Sequence, residues 1–219
     1  MAVSEDTGVR SDSTGRRSDS AVGRLLWTAA SFPVAVLSHE IAHFAVYRYF
    51  GFPEPKLHFG SASFAVGDEF WRRMDAGDIV GATQLVPPWQ AGVAAAAGLV
   101  STYIVVMGCL LMARRRPHPF LAGLGLIAPL RFLGSVFVVG AVILGRRRNF
   151  GSDEEHAAAT LHLPEMALHL LGIALLVAAW AMLFPPVSRG VRWGRLAVLA
   201  GIVVGGVLYI GVVGPWLLP

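Results

Sequence analysis

Five long apolar runs, separated by short polar or basic breaks, dominate the chain: residues 25–49, 90–112, 120–144, 167–184 and 196–216. At about 1.5 Å per helical residue, runs of this length match a hydrocarbon layer about 30 Å thick. The pattern predicts an all-α polytopic membrane protein with about five transmembrane helices. After the first run, Gly51, Pro53 and Pro55 stop the helix. Residues 56–59 and 62–66 then read as two extended segments joined through Gly60, a short β-hairpin-like element. Residues 68–75 are polar and aromatic, as expected at an interface. Basic clusters at Arg114–Arg116 and Arg146–Arg148 end the second and third runs. Residues 149–157 break the apolar pattern sharply, and Ser152 is placed to cap a short helix ending near His162. Pro185 and Pro186 close the fourth run, and Arg189, Arg192 and Arg195 precede the fifth.

Composition agrees with this reading. The 219 residues are 55% hydrophobic and only 15% charged, against about 25% charged in soluble domains. The net charge is +4, but many of the arginines sit at helix ends, where they suit headgroups and orientation. No basic-aromatic interleaving is present, so nucleic-acid binding is not expected. Cys109 is the only cysteine, which excludes an intrachain disulfide or a cysteine-based zinc site. Residues 1–22 are too polar to bury a core and read as a disordered tail. The distribution of basic residues favours a cytoplasmic N-terminus, although Arg146–Arg148 oppose it.

One motif inside the first run changes the picture. His39-Glu40-Ile41-Ala42-His43 is an HExxH sequence, with two imidazoles one helical turn apart on one face. That spacing suits a shared Zn²⁺, with Glu40 beside the first ligand to act on water. His39 lies roughly 20 Å along its helix, well inside the bilayer. Ionisable groups at that depth mark sites, because burying them unpartnered is costly. Pro33, about a turn and a half earlier, is placed to kink the helix beside the motif. Two histidines leave the ion short of a protein ligand. Asp153, Glu154, Glu155 and His156 form the densest remaining cluster of candidates. Arg131, near the middle of the third run, needs a carboxylate, carbonyls or a water-filled cavity. His58 reads as a solvated loop residue and His169 as hydrogen-bonded packing. The run of alanines ending at Gly98 offers a small-residue face for close helix packing.

These features resemble the site-2 protease family of intramembrane zinc metalloproteases. The likeness rests on HExxH in a transmembrane helix, a glycine and extended segments after it, two further spans, and an acidic residue heading the next helix. It covers about residues 25–163. The resemblance implies His39, His43 and Asp153 as metal ligands and Glu40 as general base. Asp153 is followed by Glu154 where that family carries glycine, so Glu154, Glu155 and His156 stay in contention as the third ligand. A fainter likeness links residues 146–153 to membrane metalloproteases of the heat-shock and CAAX-processing type, but Asn149 stands where they carry glutamate. The implied organisation is a tail (1–22), a metalloprotease-like membrane core (23–165) and a C-terminal helix pair (166–219). The implied activity is zinc-dependent cleavage of membrane protein or peptide substrates by a multi-pass protein of the cell membrane. An inactive scaffold that keeps the metal motif is the main alternative, and a metal transporter a weaker one.

Overall fold

The three-dimensional structure is a computed structural model, described for residues 20–115, 118–146, 151–188 and 193–218. Most of the expected tail, together with Arg116, Arg147, Arg148, Asn149, Arg189 and Arg192, lies outside the described residues.

The first helix, α1 (Ala21–Tyr49), starts where the Ser20 hydroxyl accepts a hydrogen bond from Gly23 N–H at 2.9 Å. It therefore begins inside the segment expected to be tail. A hairpin follows, β1 (Lys56–His58) and β2 (Ser61–Ser63), antiparallel with Leu57 opposite Ala62. The strands are shorter than the pattern predicts. The polar and aromatic stretch expected at an interface forms α2 (Gly67–Asp75), and α3 (Ile79–Leu85) follows it. On α2, Glu69 accepts from Arg72 at 2.7 Å and Arg73 at 2.6 Å, and these bonds pull its carboxyl down to about 2.

The long helix α4 (Pro88–Arg115) returns. The third apolar run, expected as one continuous helix, is interrupted. It comprises α5 (Pro119–Ile127), a 3₁₀ segment (Ala128–Phe132) and α6 (Leu133–Ile143). Pro129 has no N–H to donate to the helical ladder, which accounts for the break. Next come α7 (Asp153–Leu161), α8 (Glu165–Ser188) and α9 (Gly194–Leu208). A π-helical segment (Tyr209–Val213) and α10 (Gly214–Leu217) complete the described chain.

Among the described residues, five helical stretches are long and apolar enough to cross a membrane: Ala21–Tyr49, Pro88–Ala113, Pro119–Ile143, Glu165–Pro185 and Gly194–Leu217. Ile41, Ile104, Phe137, Val177 and Val203 point outward from them. Apolar surface on that scale identifies a membrane protein, because water would not tolerate it.

Lipid removes the hydrophobic drive between helices, so their contacts depend on close approach. Against α1, α9 presents Gly201 and Gly205, one turn apart. A Cβ there would meet Leu25 O at 2.6 Å and Ala29 O at 2.7 Å. Ala29 O is the carbonyl that Pro33 deprives of its helical donor. Helix α1 also packs on α4 and α5, and α7 packs on α4. The C-terminus ties back to the hairpin through Tyr209, whose hydroxyl donates to Phe59 O at 2.6 Å.

Candidate metal centre

His39 and His43 leave α1 on one face and press against α4. The His39 Nδ1–H donates to Gly98 O at 2.7 Å and lies 3.1 Å from Thr102 Oγ1. The His43 Nδ1–H donates to Ala94 O at 2.7 Å. Both carbonyls can only accept, so each ring carries its proton on Nδ1 and a lone pair on Nε2. Carbonyl partners of this kind orient metal-binding histidines. The small residues of α4 make the approach possible, since a Cβ at Gly98 would run into both imidazoles.

Asp153 arrives from the opposite side as the first residue of α7. Its placement is a local matter. Ser152 caps α7, accepting from Glu155 N–H at 3.3 Å, while the Glu155 carboxylate accepts from Ser152 N–H at 3.2 Å. This capping box fixes the first turn, whose positive end favours a carboxylate. Burial alone would raise the Asp153 carboxyl. The contacts with the His39 and His43 rings and the charge of Arg131 outweigh it and hold the group well below the usual range.

The three donor atoms converge. His39 Nε2 lies 2.9 Å from His43 Nε2 and 3.0 Å from Asp153 Oδ2, and His43 Nε2 lies 3.2 Å from the same oxygen. Three lone pairs facing one another repel unless a positive species stands among them, a place that a metal ion or the Arg131 guanidinium can take. Tetrahedral zinc with bonds of about 2.0–2.1 Å spaces its ligands about 3.3–3.4 Å apart. The donor set and its triangle therefore fit a divalent ion such as zinc.

Arg131 enters the same space from the 3₁₀ segment. Its Nη2 donates to Asp153 Oδ2 at 2.6 Å, and its Nη1 lies against the His39 ring. The carboxylate sought for this mid-run arginine is thus Asp153. Because Arg131 and a bound dication would draw on one carboxylate oxygen, Arg131→Gln is expected to tighten zinc binding about fivefold. That corresponds to loss of a largely buried ion pair of about 1 kcal/mol. Competition against a chromophoric chelator measures it, and weaker binding in the variant would refute the competition.

The other three candidates point elsewhere. Glu154 is buried, accepting from Ser135 Oγ at 3.3 Å. Glu155 belongs to the capping box. His156 stacks on Trp71 with ring centroids 3.7 Å apart, and burial pushes its imidazole down despite nearby Asp153, Asp75 and Glu155. His58 sits on β1, outside the converging group.

A cavity of about 590 Å³ opens onto the cluster. Glu40 is half-buried in its wall beside His39, with Ser61 and Ala62 of β2 on another side. Three contributors were not singled out in the sequence: Ala94 O, Gly98 O and Thr102. The alanine-rich stretch of α4 signalled close packing, but not that imidazoles would be what it packs against. Pro129 within an apolar run was the readable sign that Arg131 leaves the helical ladder near the site. No protein-family model, curated protein or solved structure matches this chain.

Proposed function

We infer that the protein is a zinc-dependent intramembrane endopeptidase, a multi-pass protein of the cell membrane that cuts membrane-associated peptide bonds. The observation that carries this reading is the convergence of His39 Nε2, His43 Nε2 and Asp153 Oδ2 on the cavity that Glu40 also lines. The resemblance to site-2 proteases points the same way.

Bound zinc would supply Lewis acidity, making water more acidic and a peptide carbonyl more electrophilic. Glu40 takes the proton from the attacking water and delivers it to the leaving amine. His39 and His43 stay neutral donors, because Gly98 O and Ala94 O hold their Nδ1 protons. A helical substrate must unwind before cleavage, since its carbonyls are otherwise hydrogen-bonded. The β2 edge at Ser61 and Ala62 offers backbone groups to an extended peptide at the cavity.

Zinc content and casein hydrolysis of the full chain, purified in detergent, test this reading. Asp153→Ala is expected to lose the ion held by His39 and His43, together with hydrolysis. Glu154→Ala is expected to keep that ion. If Asp153→Ala keeps it, the third ligand is misassigned.

A second reading rests on Arg131. Its guanidinium already neutralises Asp153 and packs on His39, which suits a metal-free scaffold that retains the motif for stability or partner binding. Protein that binds no zinc at micromolar concentrations would favour the scaffold.

A further inference from the structure

A second group of potential ligands lies across α7 from the first. Glu155 of α7 and Glu165 and His169 of α8 each offer one ligand atom, and the three atoms lie within 4.8 Å of one another. Glu165 and His169 are four residues apart on one helical face, the same spacing as His39 and His43. Both glutamates line a cavity of about 530 Å³, whose wall also includes Trp71, Asp75 and His156.

The imidazole of His169 indicates what this group is for. The residue is fully buried, at 0% exposure. Its Nδ1 lies 3.0 Å from Ser135 Oγ, and Ser135 Oγ donates its single proton to Glu154 Oε1 at 3.3 Å. Ser135 can then only accept from His169, so Nδ1 carries a proton and, in the neutral ring, Nε2 carries the lone pair. That Nε2 has no hydrogen-bond partner. The nearest carboxylate oxygen, Glu165 Oε1, is 3.8 Å away, too far for a hydrogen bond. A buried Nε2 with no partner, aimed at carboxylates, is unfavourable unless a second ring proton or a metal cation stands between them. The expectation that His169 is simply hydrogen-bonded packing accounts for Nδ1 and leaves Nε2 unexplained.

We propose that Glu155, Glu165 and His169 form a second metal site, for a first-row divalent cation such as Zn²⁺. One imidazole and two carboxylates suit zinc, manganese or iron(II) better than a thiol-seeking ion. Glu165 is exposed, so its side chain closes the remaining distance by rotation without moving either helix. The ion joins α8 to the first turn of α7, two residues from Asp153. It acts as a clamp that holds the third residue of the first cluster in position.

Equilibrium dialysis of the detergent-purified full chain against Zn²⁺, read as metal per chain, tests the site. The protein is expected to bind two ions. The double variant His39→Ala/His43→Ala should keep one, and its thermal midpoint should still rise with added Zn²⁺. Glu165→Gln alters an exposed side chain, and Glu155→Gln preserves the capping box, since glutamine serves there equally. Each should weaken the second site at least tenfold and leave the first ion bound. Co²⁺ in the double variant should give visible absorption bands that Glu165→Gln abolishes. The proposal is overturned if the double variant binds no ion while retaining its helical circular dichroism, or if Glu155→Gln and Glu165→Gln both leave stoichiometry and affinity unchanged. If the protein binds one ion that Glu165→Gln removes and the double variant keeps, the second site stands and the zinc endopeptidase reading falls.

Discussion

Glu40→Gln protein is expected to bind zinc as tightly as the parent and to lose peptide hydrolysis by about 10²–10⁴-fold. Glutamine is nearly isosteric with glutamate and leaves His39, His43 and Asp153 in place. What disappears is the only basic oxygen that residue 40 brings to the cavity wall. A proton acceptor there matters because water must lose a proton as it attacks, and the leaving nitrogen must gain one. Paired measurements of zinc content and turnover decide the matter. Lost turnover with retained zinc assigns Glu40 to proton transfer. If both are retained, Glu40 has no part in the chemistry. If zinc is lost as well, Glu40 supports the metal rather than the proton.

The second large effect is expected at Gly98. In an exposed helix, glycine to alanine stabilises by about 1 kcal/mol. Here the added methyl would run into the imidazoles of both His39 and His43, while Gly98 O holds the His39 proton. Neither ring can retreat freely, since both are tethered to α4 carbonyls. Displacements of about 1 Å in reacting groups cost on the order of 10²-fold in rate. Gly98→Ala is therefore expected to lose at least about 10²-fold in activity and to bind zinc more weakly. Gly108→Ala is the control on the same helix, because a Cβ there meets nothing within 4 Å. Equal activity in the two variants would show that the α4 surface does not set the ring positions.

Gly98 also shows where sequence reading stops. Its neighbours, four consecutive alanines, mark α4 as a helix approached closely by something. A one-dimensional pattern carries the size of the gap but not its occupant. The HExxH histidines were readable because their geometry is local: i and i+4 on a helix share a face whatever surrounds them. Asp153 was open to three rivals, since adjacent residues at a helix start point in different directions. The capping box sets those directions, sending Asp153 to the histidines and burying Glu154 against Ser135. Arg131 was readable as a charge needing a partner, though its partner lies 22 residues onward on another element.

Short-range physics was thus enough for the five apolar helices, the hairpin after the first and the paired imidazoles of α1. Run length against bilayer thickness, turn chemistry and the helical repeat are all properties of contiguous residues. Folding in three dimensions settled the rest. It broke the third run at Pro129 and brought Arg131 against Asp153. It set His39 and His43 on the carbonyls of α4 and left His169 Nε2 buried facing carboxylates. Each of these depends on groups far apart in the chain meeting at hydrogen-bonding range, which follows from helix packing and not from any local pattern.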